Sequence, residues 1–293
     1  MNFIHTLANS ILTPEMGVKL RRNKIIKDNS QYKGLIQTNE KYRNIHDGER
    51  CFIIGNGPSL KNVNLSKLCN EYTITVNQSP RMENFKDIHT TYHLWVDERF
   101  FHLKQDNPND MELLDVMRNV NTNDNKPTVF YKVPAYGMVK EFGLDKEQNI
   151  SYIMDGYINT DTPNVDFPIT EPVPIFSTCI HYAIIIAVYM GFKEIYLLGC
   201  DCTGIINTIN ARIENSRNFE YAYNISENER KRMIDQNKKS SLADEFEWYS
   251  NLFRTYGMLF QYCKQRGVTL MNATEGSILE EVPRIKLNDV LKK

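Results

Sequence analysis

The chain has 293 residues, with 35 basic and 36 acidic side chains and a formal net charge of −1. This balance gives no electrostatic case for a nucleic-acid partner. Hydrophobic residues make up 41% and charged residues 24%, which excludes a disordered chain and indicates a globular domain able to bury its own core.

Residues 1–45 predict a helical N-terminal extension, distinct from a catalytic domain at 46–293. Apolar residues at 3–12 precede five basic residues between Lys19 and Lys27. Two interpretations stay open: peripheral contact with anionic lipid headgroups, or a solvated helix that packs on the main body or on a second copy of the chain in a homo-oligomer. Nothing resembles a secretory signal or the ~20 apolar residues of a membrane span.

Six cysteines are scattered along the chain, and no two of them form a C-x-x-C pair. Several lie in apolar runs, where a free thiol behaves as a small buried hydrophobe. We expect all six to be reduced and none to bind metal. Reduced cysteines favour a cytoplasmic protein, either free or peripheral at the inner face of the membrane.

From Cys51 onward, short apolar runs alternate with helical segments. Strands are predicted over 51–54, 72–76, 92–96, 128–133, 150–154, 194–198 and 268–271, and helices over 60–68, 179–190 and 244–265. This alternation indicates a Rossmann-like α/β fold, a mainly parallel sheet with helices on both faces. A polar stretch at about 204–241, after a core strand, predicts a lid or a helical excursion.

Ligands of an open α/β sheet bind outside the carboxyl ends of its strands. The first strand is followed by Gly55, Asn56, Gly57, Pro58 and Ser59, where glycines would let a phosphate approach the backbone at a helix N-terminus. The loop is not a Walker A loop, because no Gly-Lys-Ser/Thr follows it. It is also not a full dinucleotide fingerprint, because Leu60 stands at the third glycine position. Asn77-Gln78, Asp97-Glu98-Arg99 and Gly199-Cys200-Asp201 follow three other strands. Polar groups at four strand ends on one edge of the sheet therefore predict one ligand site.

Two blocks of the sequence resemble known families. Residues 52–60 (FIIGNGPSL), Asn77-Gln78, and Ser177-Thr178 leading into 187–201 (AVYMGFKEIYLLGCD) resemble the bacterial sialyltransferases of lipooligosaccharide synthesis. They also resemble motility-accessory-factor and pterin-pyrophosphokinase-like proteins, to which the ending 271–276 (MNATEG) is closer. The resemblance covers roughly residues 50–280 and leaves out the N-terminal extension.

The resemblance implies a CMP-activated nonulosonic acid, such as sialic acid, as donor co-substrate, with no metal or other cofactor and a glycan or glycoprotein as acceptor. It implies a nucleotide subsite of Gly55, Asn56, Gly57, Ser59, Asn77 and Gln78, a sugar subsite of Asp97, Ser177 and Thr178, and phosphate contacts from Tyr221 and Tyr223 on the lid. The sequence has no Asp-x-Asp motif. A monophosphate leaving group can instead be met by hydroxyl, amide and backbone N–H donors.

An inverting transfer also needs a base that takes the proton of the acceptor hydroxyl. The sialyltransferases carry a histidine shortly before their penultimate long helix, whereas residues 237–242 contain none. Asp201 and Glu245 are the remaining candidates, and His181 is predicted to be a core residue. The aromatic residues between Phe246 and Tyr256 predict a helix face packed on the core, with an acceptor platform as the alternative.

Two other functions stay open. A pyrophosphokinase acting on a reduced pterin would require ATP and magnesium, and Asp97 and Asp201 are the carboxylates that would supply metal ligands. A nucleotide-binding assembly subunit without catalytic activity would account for the missing histidine.

Overall fold

The computed structural model describes residues 13–121, 125–157, 163–214, 220–231 and 240–292. Its strands are β1 (Arg50–Ile54), β2 (Tyr72–Val76), β3 (Tyr92–Trp95), β4 (Thr128–Lys132), β5 (Asn149–Ile153), β6 (Asp155–Tyr157), β7 (Val173–Pro174), β8 (Glu194–Leu198) and β9 (Thr269–Asn272). Seven of them form one sheet in the order β5-β4-β3-β2-β1-β8-β9, and every neighbouring pair is parallel. β6 and β7 form a separate small sheet.

The α-helices are α1 (Pro14–Asp28), α2 (Lys33–Gln37), α3 (Pro108–Arg118), α4 (Tyr136–Glu141), α5 (Leu144–Glu147), α6 (Cys179–Tyr189), α7 (Gly204–Glu214), α8 (Leu242–Gln265) and α9 (Leu287–Val290). A further turn of helix covers 227–231. α6 and α8 pack on one face of the sheet, and α3, α4, α5 and several short 3-10 helices pack on the other. The predicted α/β fold, a parallel sheet with helices on both faces, is confirmed.

The central strand shows why its sequence is apolar without interruption. Cys51 and Ile53 pack with α6 and α8, whereas Phe52 and Ile54 pack on the opposite face with Leu60. All four strand residues are fully buried because both faces of the sheet are covered. The inserted segment after β8 begins as α7, at the carboxyl edge of the sheet.

The helix predicted over residues 60–68 is wrong. The chain forms two 3-10 helices there, Pro58–Asn62 and Leu65–Leu68, with Val63 extended between them. The Asn64 side chain accepts a hydrogen bond from the Ser66 N–H and starts the second helix. Such local bonding lets asparagine compete with helix hydrogen bonds. Consequently no long helix presents its N-terminus directly after the glycine loop.

The N-terminal residues from 13 onward pack on the main body. Asn39 is fully buried, and its side-chain amide donates to two main-chain carbonyls of the body. Arg22, in the basic run, is buried and forms an ion pair of 3.0 Å with Glu171. The apolar residues at 3–12 lie outside the described residues, so the lipid contact stays a prediction. Across the described ranges, no helix has the length and apolarity needed to cross a membrane.

Candidate functional site

The order of strands changes direction at β1. Strands β2 to β5 lie on one side of β1, and β8 and β9 lie on the other side. Such a switch point is where open α/β sheets bind their ligands. A cleft of about 930 Å³ lies there, along the carboxyl ends of β1 to β4 and β8 and the first turn of α6. This volume is in the range of small-molecule sites.

The cleft brings together all but one of the residues predicted for the site. Its walls include Gly55, Asn56, Gly57, Asn77, Gln78, Asp97, Ser177, Thr178, Asp201, Tyr221, Tyr223 and Glu245. The exception is Ser59, whose backbone N–H and hydroxyl both donate to the Asp201 carboxylate, at 2.9 and 2.8 Å. Ser59 therefore supports the wall of the cleft from behind.

The glycines after β1 are required by the contact between two loops. A Cβ on Gly55 would lie 2.4 Å from the carbonyl oxygen of Gly199, and a Cβ on Gly57 would lie 1.8 Å from a carboxylate oxygen of Asp201. The Gly57 N–H also donates to the Gly199 carbonyl at 2.9 Å. This main-chain contact between the loops after β1 and β8 accounts for both glycines by itself.

Two of the predicted amide ligands hold the walls of the cleft together. The Asn56 amide donates to a main-chain carbonyl of β2 at 3.0 Å and accepts from the Ser79 hydroxyl at 2.8 Å. The Gln78 amide donates to Glu229 at 3.0 Å and accepts from Arg81 at 2.6 Å. Both side chains therefore fix the loops after β1 and β2, and Gln78 also fastens the inserted segment.

The inserted segment crosses the loop after β1 with two adjacent tyrosines. The Ala222 N–H donates to the Asn56 carbonyl at 3.0 Å. The rings of Tyr221 and Tyr223 stack with their planes 4° apart and their centroids at 5.2 Å. Burial raises the pKa of Tyr221 to about 12 and raises that of Tyr223 as well. Both hydroxyls are therefore protonated at neutral pH and can donate hydrogen bonds to a ligand.

Two predicted site residues, Asn77 and Ser177, keep donor groups that no residue in the described part of the chain uses. Asn77 has a φ of +48°, a left-handed conformation that asparagine tolerates, and its Nδ2 has no such partner. Thr178 is the N-cap residue of α6, yet its hydroxyl makes no capping bond and instead pairs with the Cys179 sulfur at 3.8 Å. Ser177 stands beside it on the cleft wall. The first N–H groups of α6 add further donors and a positive dipole end.

The predicted carboxylates are held by donors of their own chain. Arg99 Nε lies 2.9 Å from each oxygen of Asp97, and the pKa of Arg99 is raised by this bond. Glu245 accepts from Arg212 at 3.0 Å and from the Ser240 hydroxyl at 2.8 Å. Both candidate bases, Asp201 and Glu245, therefore already accept hydrogen bonds from the protein. Within the described ranges, no three His, Cys, Asp or Glu side chains come together as metal ligands.

Two further cleft residues are Glu98, which the sequence places at a strand end without a role, and Lys132, which sequence reasoning missed. Lys132 ends β4 and is buried, with its ammonium 2.5 Å from Glu98 and 2.9 Å from Asp155. Burial by itself would lower the pKa of Lys132, but the two carboxylates raise it overall, so the ammonium stays charged. A lysine inside an otherwise largely apolar predicted strand, 128–133, was the available signal.

The charged cluster of Glu98, Lys132 and Asp155 is connected to the first turn of α6. Asp155 also accepts a hydrogen bond from the Tyr182 hydroxyl. That hydroxyl in turn accepts from the Phe176 N–H at 3.1 Å. Phe176 directly precedes Ser177 and Thr178, so these three charged residues and the two hydroxyls lie at one end of the cleft.

His181 lies in the core, as predicted. It is fully buried against the rings of Phe176 and Tyr256, and neither ring nitrogen has a partner in the described ranges. Burial lowers its pKa to about 3, so the ring is neutral at physiological pH.

The aromatic face of α8 divides into two parts. Tyr256 is buried and Phe253 packs against the core, as the packing interpretation predicts. Phe246 and Trp248 are 43% and 44% exposed, and Trp248 and Tyr249 line the cleft. The acceptor-platform alternative therefore stays open for the first turns of α8 only.

Comparisons of the chain with protein-family models, curated proteins and solved structures find no match.

Proposed function

We propose that this chain is a glycosyltransferase that moves a nonulosonic, sialic-type acid from a CMP-activated donor to a glycan or glycoprotein acceptor in bacterial surface-polysaccharide assembly. One observation carries the proposal: the switch-point cleft gathers neutral donors, namely the amide of Asn77, the hydroxyls of Ser177 and Thr178 beside the α6 N-terminus, and two tyrosines. Of these donors, only the Thr178 hydroxyl has a hydrogen-bond partner in the described chain, the Cys179 sulfur at 3.8 Å. These groups suit an uncharged base and sugar joined by one phosphate and one carboxylate.

The two anionic groups of such a donor have matching partners. A helix N-terminus favours an anion by about 0.3–1 kcal/mol at exposed sites, and α6 adds the hydroxyls of Ser177 and Thr178 to this effect. We assign the sugar carboxylate to that position. The protonated hydroxyls of Tyr221 and Tyr223 would donate to the phosphate, most strongly as its negative charge grows on departure.

The reaction would be a direct displacement. The acceptor hydroxyl attacks the anomeric carbon of the donor, CMP leaves from the opposite side, and the configuration at that carbon is inverted. A base must take the acceptor's proton during this step. The tyrosines would stabilise the leaving phosphate, and the α6 N-terminus would hold the sugar in line.

The pyrophosphokinase alternative fits the geometry less well. Its magnesium ions would need Asp97 and Asp201, and both carboxylates already accept two hydrogen bonds, from Arg99 and Ser59 respectively. A magnesium ion would have to share these carboxylate oxygens with the donors that already hold them. The transferase instead uses neutral donors that face the cleft.

The test is a thermal-shift panel with CMP, CDP, UDP, GDP and ATP, each with and without magnesium. We expect stabilisation by CMP that does not depend on magnesium, about 2.7 kcal/mol at a concentration of 100 Kd. A Ser177→Ala/Thr178→Val variant should keep its response to CMP but lose the additional response to CMP-N-acetylneuraminate. Stabilisation by ATP with magnesium alone would contradict the proposal and favour the pyrophosphokinase.

Catalysis needs a second measurement. CMP release from CMP-N-acetylneuraminate, followed by chromatography, should occur with the wild-type chain. Tight CMP binding without any release, across a panel of sugar acceptors, would instead indicate the non-catalytic subunit.

A further inference from the structure

Glu98 occupies a distinctive position in the cleft. It starts the short 3-10 helix after β3, and its carboxylate lies against the Lys132 ammonium at the end of β4. The other carboxylate on that lysine, Asp155, is buried and also bonded to Tyr182. The Glu98 side chain is 55% exposed, and within the described chain Lys132 is the one side chain that holds it. Asp155 anchors the lysine, and the lysine presents Glu98 to the cleft.

The remaining cleft carboxylates are engaged differently. The carboxylates of Asp97, Asp201 and Glu245 accept two or more hydrogen bonds from the protein. The Asp244 carboxylate accepts from the Ser241 N–H in the capping box of α8. Glu229 is buried and fastens the inserted segment through Gln78. Glu220 is exposed on the rim, with no described residue that orients it. Glu98 alone among these described carboxylates is both oriented by a fixed cation and open to the cleft.

A chain of contacts also connects Glu98 to the proposed subsite for the sugar carboxylate. In a nonulosonic acid the anomeric carbon carries the carboxylate, so a subsite for that carboxylate adjoins the site of reaction. Ser177 and Thr178 form this subsite in the proposed function. The contacts from Phe176 through Tyr182 and Asp155 lead to Lys132, and so to Glu98.

We infer that Glu98 is the general base of the transfer and that Lys132 is its positioning residue, an inference that rests on the proposed function. A Glu98 oxygen takes the proton of the acceptor hydroxyl while the acceptor oxygen bonds to the anomeric carbon. The bond from that carbon to the CMP phosphate oxygen breaks, and its electron pair leaves with CMP. Glu98 then releases the proton to solvent.

Lys132 has a second effect in this arrangement. Two carboxylates, that of Glu98 and that of the sugar, would repel each other near the reacting carbon. The Lys132 ammonium, held between Glu98 and Asp155, offsets part of this repulsion. A base placed there without the cation would weaken donor binding.

The experiment compares Glu98→Gln with wild type in the full chain, using CMP-N-acetylneuraminate as donor and lactose or water as acceptor. We expect CMP release to fall by about 100-fold or more, because general base catalysis contributes about 10²–10⁴-fold. The thermal shift produced by CMP should be unchanged. Glu147→Gln is the matched control, since Glu147 is also an exposed glutamate paired with a base, Arg118 at 3.1 Å, but lies outside the cleft.

Lys132 is tested by its effect on the two kinetic constants. Lys132→Arg keeps a cation beside Glu98 and should retain most of kcat and the donor KM. Lys132→Gln should lower kcat and also raise the donor KM, because the repulsion between Glu98 and the sugar carboxylate is no longer offset. Both variants are assayed below their own melting temperatures, so that unfolding does not mimic the effect. A purely structural lysine would show no such difference between folded variants.

Three outcomes would overturn the inference. Wild-type CMP release from Glu98→Gln would exclude a base at this position. Loss of the CMP thermal shift in Glu98→Gln would make Glu98 a binding or structural residue. A wild-type chain that CMP stabilises but that releases no CMP from the donor would refute the base while donor binding stands, whereas the absence of both signals would refute the proposed function itself.

Discussion

The two ends of the cleft use charged and polar groups in different ways. At the β1–β8 end, the loops touch through their main chains, and the Asp201 carboxylate accepts both of its bonds from Ser59. At the β3–β4 end, Lys132 holds two carboxylates, of which Asp155 is buried and Glu98 is exposed. Polar residues after strands therefore build the frame at one end and supply a titratable group at the other.

The largest expected effect comes from removing the cation of the β3–β4 end. Lys132→Met leaves Asp155 as a buried carboxylate without its partner, and we expect the free energy of unfolding to fall by about 3–5 kcal/mol. Urea denaturation measures the change. The double variant Lys132→Met/Asp155→Asn should recover most of the loss, because the orphaned charge is gone.

Lys140→Met is the surface counterpart of this test. Lys140 forms an ion pair of 2.6 Å with Asp145, but the lysine is half exposed. Exposed pairs contribute little to stability because water screens them. Equal losses in the Lys132 and Lys140 variants would contradict the account of a buried, structurally required cation.

The next effect concerns the β1–β8 end. A Cβ at Gly55 would meet the Gly199 carbonyl, a main-chain group that cannot rotate away, so we expect Gly55→Ala to lower the unfolding free energy by about 1–3 kcal/mol. Gly137 in α4 has no atom within 4 Å of its Cβ position. Gly137→Ala should therefore raise stability, by about 0.5–1 kcal/mol. Thermal melts that shift in the same direction for both variants would refute the contact argument.

A smaller effect separates backbone from ligand contact at Asn77. Asn77→Ala places an alanine in a left-handed conformation and should cost about 1–2 kcal/mol of stability, whereas Asn77→Gly adopts the same backbone without steric strain. Both variants lose the side-chain amide and should show a weaker thermal shift with CMP. Full retention of the CMP shift in Asn77→Gly would remove Asn77 from the donor subsite.

The smallest effect is expected at His181. Its ring nitrogens have no partner in the described chain, so His181→Leu should leave the unfolding free energy at pH 7 unchanged or raise it by up to about 1 kcal/mol. Burial holds the folded pKa at about 3, below the unfolded value of 6.5. The unfolded chain therefore gains protons first, and stability falls as the pH drops from about 6.5 toward 3.

The slope of stability against pH tests the His181→Leu variant independently, because the variant keeps one of the two buried histidines and loses the other. His93 is also fully buried, and its pKa is likewise lowered to about 3 by burial. Each such histidine changes the folding equilibrium by about tenfold per pH unit in this window. Urea titrations between pH 7 and 5 should show a shallower loss of stability in His181→Leu than in wild type, and identical slopes would contradict the neutral buried ring.

Most strands of the central sheet were predictable from the sequence, because buried parallel strands have continuous apolar sequences. The predicted 72–76 coincides with β2, and the helix predicted over 244–265 begins only two residues after the start of α8. The strand-end rule also placed the cleft on the correct edge. β6 and β7 were missed because strands of two or three residues carry too little pattern.

The roles of individual site residues were less predictable because they depend on partners that are distant in sequence. The Gln78 amide is used by Glu229, which comes 151 residues later. The significance of Lys132 appears only when Glu98 and Asp155, on two other elements, converge on it. In such cases the sequence shows that a polar side chain lies at the site, and the fold determines which groups that side chain contacts.

The pairing of β1 with β8 has a consequence for the nascent chain. One edge of β1 stays open until Glu194–Leu198 has been synthesised, which takes roughly 7–30 s after β1 at typical translation rates. An unpaired strand edge is a template for association with other chains. The glycine loop and its partner loop after β8 also meet only at that point. The cleft therefore forms late in synthesis, and a chain that terminates before Glu194 has an exposed central strand and no cleft.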